Sequence, residues 1–491
     1  MFVLISFFLL TGLMPSIVSS YPIRLAKRDV NPRTKFVVAH HMVGNTYPYI
    51  LQDWLDDISQ AQAAGIDAFV LNIGSDPWQS ARVADAYTAA QQSNTSFKLF
   101  ISFDMSVLPC ASSSDAGAIR QYITTYASHP AQFTYNGKPF ASTFSGSSCT
   151  FGTGSVATGW QSVFAGTPVQ FVPSFFMDPT QFSTLGNIMN GALNWNGAWP
   201  ISLTAASISR SIFGMMQSIV PSLPSSILKT LGSLETDNQY LAGLGLPTTN
   251  VATNASSSLS KRSDGSVYMA TVSPWFFTHY GPDTYNKNWI YLADDHLYAR
   301  RWENLIAARD SIDIVQLLTW NDFGESHYVG PVRPHSAQPN SQAWVDGYDH
   351  QGWLPLTSYY AAAFKSGSYP AITKDQVVMW ARPHSKNAVA TSDNVPKPTN
   401  WELTSDTLWA IALLTSPATV TLSTCPSNSR TFSLPAGVSK ISIPLQSGGN
   451  LHAVVSRPGQ NNTVDVQSSG YTYQEGSVPT YNFNAFVVAS E

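Results

Sequence analysis

The sequence predicts an α/β protein, a (β/α)8 TIM barrel followed by a C-terminal antiparallel β-sandwich domain. Three observations predict it. Eight apolar runs of strand length recur from residue 36 to about residue 322, most of them separated by stretches with helical spacing. The runs are almost continuously apolar, as parallel strands buried on both faces are. Beyond about residue 367 the helical signal stops, and short runs rich in β-branched residues alternate with Pro, Gly, Ser and Asn. An open doubly wound sheet is the competing fold; no glycine-rich phosphate turn follows the first run, which counts against it.

The elements follow in order. "KFVVAHHMVG" is the first strand, and "LQDWLDDISQAQAAG" a helix with early acids and a closing Gly. "IDAFVLNIG", "FKLFISFD" and "KPFASTFSG" are the second to fourth strands, with helices at "WQSARVADAYTAAQQS" and "GAIRQYITTYASH" between them. "SVATGWQSVFAG" precedes the fifth, "VQFVPSFF"; the sixth lies around residues 191–195. "VYMATVSPWFF" is the seventh, "WENLIAARDS" a helix and "DIVQLLTWND" the eighth. Residues 204–266 break the rhythm with an apolar piece, "SIFGMMQSIV", and a polar Ser-rich end, so an insertion is expected on a strand-to-helix loop. The barrel is assigned residues 29–366 and the sandwich 367–491, whose seven short strands run from "QVVMWARPH" to "NTVDVQ". Few acids fall in the sandwich, so its expected role is packing against the barrel.

Composition narrows the function. The chain has 491 residues, 11% charged and 12% aromatic, with a net charge of -4. A nucleic-acid partner is excluded, because phosphate binding needs a basic surface. Residues 1–20 read as a secretory signal, and 21–28, ending in Lys27-Arg28, as a short pro-segment. The first apolar run falls short of the ~20 residues that span a bilayer, so a secreted monomer without stable membrane insertion is expected. Of three cysteines, Cys110 and Cys149 lie just beyond strands and are placed to pair, leaving Cys425 over. Asn94, Asn254 and Asn461 head glycosylation sequons.

In such a barrel the chemistry lies at the C-terminal ends of the strands. Asp67 begins the second strand and reads as structural. Asp53, Asp56 and Asp57 open a helix, where its dipole favours acids. Asp294 and Asp295 read as solvated. Two places remain: Asp104, which ends the third strand, and Asp322 with Glu325 in "TWNDFGES" after the eighth. Acids in apolar surroundings are costly unless paired or functional. Trp320, Asn321 and His327 flank the pair. Trp195, Trp199, Trp275, Phe276 and Phe277 follow other strands, where rings stack on sugars; His40, His41, Asn45 and Asn72 are placed to bond hydroxyls. A metal site from His40, His41, Asp104 and Asp322 lacks a tight ligand motif, and no cofactor or metal is expected.

"VVAHHMVGN", "DWLDDISQAQAAGIDAFVLNIG", "FKLFISFD", "FVPSFF", "VSPWFFTHY" with "KNWIY", and "TWNDFGESHYVGP" occur in this order from about residue 36 to 332, and "YPAITKDQVVMWARPH" continues them. Jointly these stretches resemble glycoside hydrolase family 71, the fungal α-1,3-glucanases or mutanases. The resemblance implies a barrel with a β-sandwich, hydrolysis of α-1,3-glucan with inversion, and Asp322 and Glu325 as catalytic acids supported by Asp104. The 204–266 region departs from the family, and Asp237 and Tyr240 match its Asp-x-x-Tyr. Glu has the higher reference pKa and longer reach, which favours Glu325 as acid and Asp322 as base. Two rivals stand beside this reading: a non-catalytic α-glucan-binding or wall-structural protein on the same fold, and a hydrolase of another linkage.

Overall fold

The computed structural model describes residues 33–207, 229–249, 265–333 and 340–491. The expected signal and pro-segment, "SIFGMMQSIV" and Asn254 lie outside the described residues. No helix among the described residues is long and apolar enough to cross a membrane.

The apolar runs become strands β1 (Phe36–Met42), β2 (Ala68–Ile73) and β3 (Lys98–Asp104). The short β4 (Thr134–Tyr135), β5 (Lys138–Phe144), β6 (Gln170–Phe171) and β7 (Gly191–Leu193) follow. Beyond them come β8 (Val267–Val272), the hairpin β9 (Phe277–His279) and β10 (Asn288–Ile290), and β11 (Ile314–Leu317). One curled sheet takes the order β4-β5-β3-β2-β1-β11-β8-β7, with β6 beside β5; every pairing in it is parallel except β4 on β5. The protein is therefore an α/β fold built on a parallel-rich, half-barrel sheet. Parallel alignment brings the ends of β11, β1, β2 and β3 to one rim as consecutive neighbours.

The helices have local causes. Asp53 Oδ2 accepts the Ile50 amide (2.9 Å) at the start of Leu51–Ala63. Ser112 and Asp115 form a capping box on Ser113–Tyr126. Leu354–Ser366 was not anticipated, although its signals are in the sequence: Pro355 in its first turn and Gly367 after its end, at φ 79°. The hairpin β9–β10 was also not anticipated. The fifth run is a strand only over Gln170–Phe171. Asp294 and Asp295, expected in solvent, are buried.

The C-terminal part carries β12 (Gln376–Ala381), β13 (Val389–Ala390), β14 (Thr407–Leu414), β15 (Ala418–Cys425) and β16 (Asn428–Leu434). It continues with β17 (Gly437–Pro444), β18 (His452–Ser456), β19 (Val464–Gln467), β20 (Ser477–Val478) and β21 (Phe486–Ala489). Two four-stranded antiparallel sheets result, β17-β14-β12-β21 and β16-β15-β18-β19, and an apolar cluster including Met379, Leu408, Val420 and Val455 joins them. Along β15 buried and half-buried residues alternate, the signature of one apolar face. Residues 34–491 form a single compact unit. Cys110 and Cys149 are disulfide-bonded, tying the segment after β3 to the one after β5; Cys425 is buried and free.

Candidate active site

The stretch after β11 folds back on itself. The Leu318–Thr319 peptide is cis. Thr319 donates its amide to His327 O, Val329 donates to Thr319 O (3.0 Å) and Gly330 to Trp320 O (2.8 Å), so the loop's two ends are held together. A Cβ at Gly330 would strike the Trp320 ring, and one at Gly324 would overlap the Tyr280 hydroxyl, so both positions need glycine. Asn321 clamps the end of β1: its Oδ1 accepts the Met42 amide (2.7 Å) and its Nδ2 donates to Met42 O (3.0 Å). Asn45 Nδ2 donates to Asn321 O (2.9 Å).

This frame presents Asp322 and Glu325 together. Asp322 Oδ1 accepts the Glu325 amide (3.3 Å), and the Asp322 amide donates to Thr319 Oγ1 (2.8 Å). His327 Nε2 lies 3.0 Å from Glu325 Oε2 and 3.5 Å from Asp322 Oδ2. The ring is held by Phe276, stacked at 5.6 Å, and by the edge of Trp199. Lys287, from the start of β10, places Nζ 2.8 Å from Glu325 Oε1. The two carboxylates keep 16% and 17% of their side-chain surface open, enough for a substrate to reach them.

Their surroundings drive the two acids apart. Burial and the neighbouring Glu325 charge push Asp322 up to about 6, against weaker opposing pulls from His327 and Lys287. Burial would raise Glu325 as well, but the His327 hydrogen bond and the Lys287 ammonium outweigh it and bring Glu325 down to about 2. For Lys287, burial works against the charge, while Glu325, Asp322 and Asp104 outweigh it and raise the pKa. His40 is lowered to about 3 by burial, with His327 and His41 adding to it, so its ring is neutral. Two titratable groups pushed in opposite directions are the arrangement acid–base chemistry needs.

The other expected residues divide into two groups. Asp104 ends β3, on the same rim, half-buried; its Oδ1 accepts from the Ser106 amide (3.1 Å) and hydroxyl (2.5 Å). His40 meets the edge of Trp195 at 4.8 Å, and its Nε2 has no hydrogen-bond partner among the described residues; the same holds for Asn72 Oδ1. These residues belong to the rim. The remainder serve packing. Trp320 is fully buried against Phe69. Trp275 is 1% exposed, donates to Phe483 O (3.0 Å) and lies under Arg382. Asp237 is fully buried, with Arg301 on both carboxylate oxygens (2.6 and 2.8 Å) and the Tyr268 hydroxyl on Oδ1 (2.6 Å). Tyr240 packs edge-on against Phe182. Asp237 and Tyr240 were expected to touch substrate; the structure places the Asp237 carboxylate on Arg301 and Tyr268, and Tyr240 8% exposed. Lys287 and Tyr280 lie in the stretches "KNWIY" and "VSPWFFTHY" but were not singled out as site residues, since nothing in the sequence pairs a lysine with an acid 38 positions later.

The C-terminal part reaches the same loop. Asn484 Nδ2 donates to the Tyr328 hydroxyl (3.2 Å) and to Trp344 O (2.9 Å). The His350 ring stacks on Tyr328 at 3.9 Å. Among the described residues, Asp322, Glu325 and His327 offer ligand atoms within 4.8 Å of one another, a spacing that a cation could use. Here the Lys287 ammonium already supplies positive charge to Glu325.

Comparison with known proteins agrees with this geometry. A family model described as "Glycosyl hydrolase family 71" matches residues 33–491. A glucan endo-1,3-alpha-glucosidase, agn1, of Schizosaccharomyces pombe is 37% identical over 460 residues, covering 92% of this chain and 94% of that one. A mutanase of Penicillium rubens is 32% identical over 484 residues, covering 98% and 94%. The ascus wall endo-1,3-alpha-glucanase of Schizosaccharomyces pombe is 30% identical over 468 residues, covering 92% and 96%. The chain belongs to glycosyl hydrolase family 71.

Proposed function

With that membership as premise, we propose that the protein is a glycoside hydrolase that cleaves α-1,3-glucosidic bonds in wall-type α-1,3-glucan, using Asp322 and Glu325. The observation that carries the reading is the pair of half-buried carboxyls, three residues apart, with opposite pKa shifts. At pH 5, Asp322 holds a proton and Glu325 does not. Asp322 gives its proton to the glycosidic oxygen as the C1–O bond breaks. Glu325 takes a proton from a water whose oxygen bonds to C1. Reference pKa and reach favoured the opposite assignment; burial beside a charge on one side and Lys287 with His327 on the other reverse it. Asp104 stands on the same rim and adds negative potential where positive charge develops on the sugar.

Family resemblance favours inversion. An inverting pair needs roughly 6.5–9.5 Å between carboxyls, whereas one oxygen of each acid lies within 4.8 Å of the other. Inversion on this pair therefore requires the carboxyls to part as the sugar enters. NMR of the first-formed anomer from α-1,3-glucan tests it: a β product supports inversion, an α product a retaining pair. Two oxygens that stay together in a substrate complex would also count against inversion.

The reading extends to the fold and the location. We take the parallel sheet as a closed (β/α)8 barrel spanning residues 29–366. Two hydrogen bonds, Asn190 N to Phe171 O (2.8 Å) and Leu193 N to Pro173 O (2.9 Å), support closure between β6 and β7. The two antiparallel sheets of 367–491 then form a β-sandwich on their shared apolar cluster. The disulfide and the exposed sequon residues Asn94 and Asn461 support secretion, and the name of the ascus wall relative supports action at a wall. Reducing-sugar release from α-1,3-, α-1,4- and β-1,3-glucans tests the linkage; release from α-1,3-glucan alone is expected.

A further inference from the structure

The rings singled out for sugar stacking in the sequence are largely hidden. Trp195, Trp199, Trp275 and Phe276 are 8%, 5%, 1% and 3% exposed. A glucosyl unit stacks its C–H face on a ring, so a stacking ring must show a face to solvent. Tyr47 does: it is 63% exposed, five residues past the end of β1. Its ring meets Trp78, half-buried and five residues past the end of β2, at 5.1 Å and 82°.

Both loops are stiff. Thr46 Oγ1 donates to Val43 O (2.7 Å) and the Tyr49 amide to Thr46 O (3.0 Å), which fixes the turn that carries Tyr47. Gln79, itself buried, accepts the Gly74 amide (2.7 Å) and donates to Asp76 (3.0 Å), which fixes the turn that carries Trp78. Asn45, two residues before Tyr47, bonds Asn321 O, next to Asp322. The pair is thus continuous with the carboxylates. On the next strand of the rim, Val107 is 54% exposed, three residues beyond Asp104. Three neighbouring loops therefore carry exposed or half-buried apolar side chains beside the loop of Asp322, and among the described residues few large apolar side chains are exposed.

We propose that Tyr47 and Trp78 form a stacking subsite for a glucosyl unit of the α-1,3-glucan chain, on the β1–β2 side of the carboxylates. The proposal rests on the hydrolase reading above and adds to it a preference for chains long enough to reach this rim. Held at right angles, the two rings give one open face and one wall, a corner that suits a bent α-linked chain better than a flat one.

The test uses the full chain and a series of α-1,3-gluco-oligosaccharides of increasing length. Tyr47→Ala and Trp78→Ala are expected to raise KM for the longest chains about tenfold relative to KM for the shortest one cleaved, in line with the energies of aromatic contacts. Tyr47→Phe keeps the ring and the wild-type ratio. Tyr369→Ala is the distant control: Tyr369 is 48% exposed and follows Lys365, which pairs with Asp67 at the opposite end of the sheet. An unchanged ratio in Tyr47→Ala overturns the subsite, and that exposed position decides if Trp78→Ala does not fold. Wild-type protein that releases no sugar from any α-1,3-glucan would remove the hydrolase reading and the subsite together. Wild-type cleavage with unchanged ratios removes the subsite alone.

Discussion

Two acidic sites shielded from water, one around Asp237 and one around Asp322 and Glu325, are built on opposite terms. Around Asp237, each carboxylate oxygen is met by Arg301, Tyr268 adds a third hydrogen bond, and Arg301 spends further donors on Thr271 O and Ser233 O. Charge is matched one to one and every surrounding group is fixed. Around Asp322 and Glu325, two carboxylates share one histidine and one half-exposed lysine. Charge there is short, and the shortage falls on Asp322 as a proton held up to about pH 6. Burial is common to both sites. What separates them is whether a charge is left waiting for a partner.

The largest effect expected from this contrast is on turnover. Asp322→Asn and Glu325→Gln should each cut α-1,3-glucan hydrolysis by about 10²–10⁴-fold while leaving the melting temperature within a few degrees or raising it. The assignment of roles is sharpened by a glycoside whose leaving group needs no proton: Asp322→Asn should recover on it and Glu325→Gln should not. Recovery of Glu325→Gln instead would restore the assignment from reach.

The matched site should respond the other way. Asp237→Ala strands Arg301 without its counter-charge and is expected to destabilise the fold by about 3–5 kcal/mol, read as a lowered denaturation midpoint. Specific activity of whatever remains folded should stay near wild type. A lost turnover at unchanged stability would erase the distinction between the two sites.

A smaller effect comes from pH. Asp322 must be protonated to act as acid, so kcat should fall as pH rises through about 6, and Glu325 stays ionised down to about 2. Stability follows the same sign for Asp322. Its folded pKa lies above the ordinary 3.8, so its contribution is fully present below that value and is lost as pH rises through about 6. Asp322→Asn should therefore gain stability over wild type at pH 7–8, with the gain shrinking toward pH 4. Thermal melts across that range check it.

The smallest expected effect lies at Asn484. Its amide holds the Tyr328 hydroxyl, one residue beyond His327. Asn484→Ala should lower kcat about ten- to hundredfold with KM little changed, and Asn484→Asp should not recover it, since the Tyr328 hydroxyl proton already goes to Tyr348 O and a carboxylate has nothing to donate to that hydroxyl or to Trp344 O. A change confined to the melting temperature would make Asn484 structural only.

The parallel strands were legible because strands buried on both faces read as unbroken apolar runs, but "DIVQLLTWND" is a strand only to Leu317, so Asp322 lies in the loop beyond it and not at the strand end. The hairpin Phe277–Ile290 was less legible. Its strands are three residues each, too short to show a period, yet it delivers Lys287 and Tyr280 to the site. Asp294 shows the limit of composition: an acid in a polar stretch reads as solvated, but it is buried against Arg382, 88 positions later. Rings at strand ends could be counted in the sequence, but only folding decides which of them keep a face free. That is why Trp275 packs and Tyr47 does not.

The Asn484 contact also bears on when activity can begin. A ribosome delivers the chain from its N-terminus at about 5–20 residues per second, so every strand of the parallel sheet leaves it before residue 484 does. The carboxylates, their lysine and the rim are all translated by residue 325, yet the side chain that steadies their loop is among the last synthesised. On the role predicted for Asn484, full activity would wait for the C-terminal sheets to be complete. A chain clipped before Asn484 would keep the acids and lose the means of aiming them.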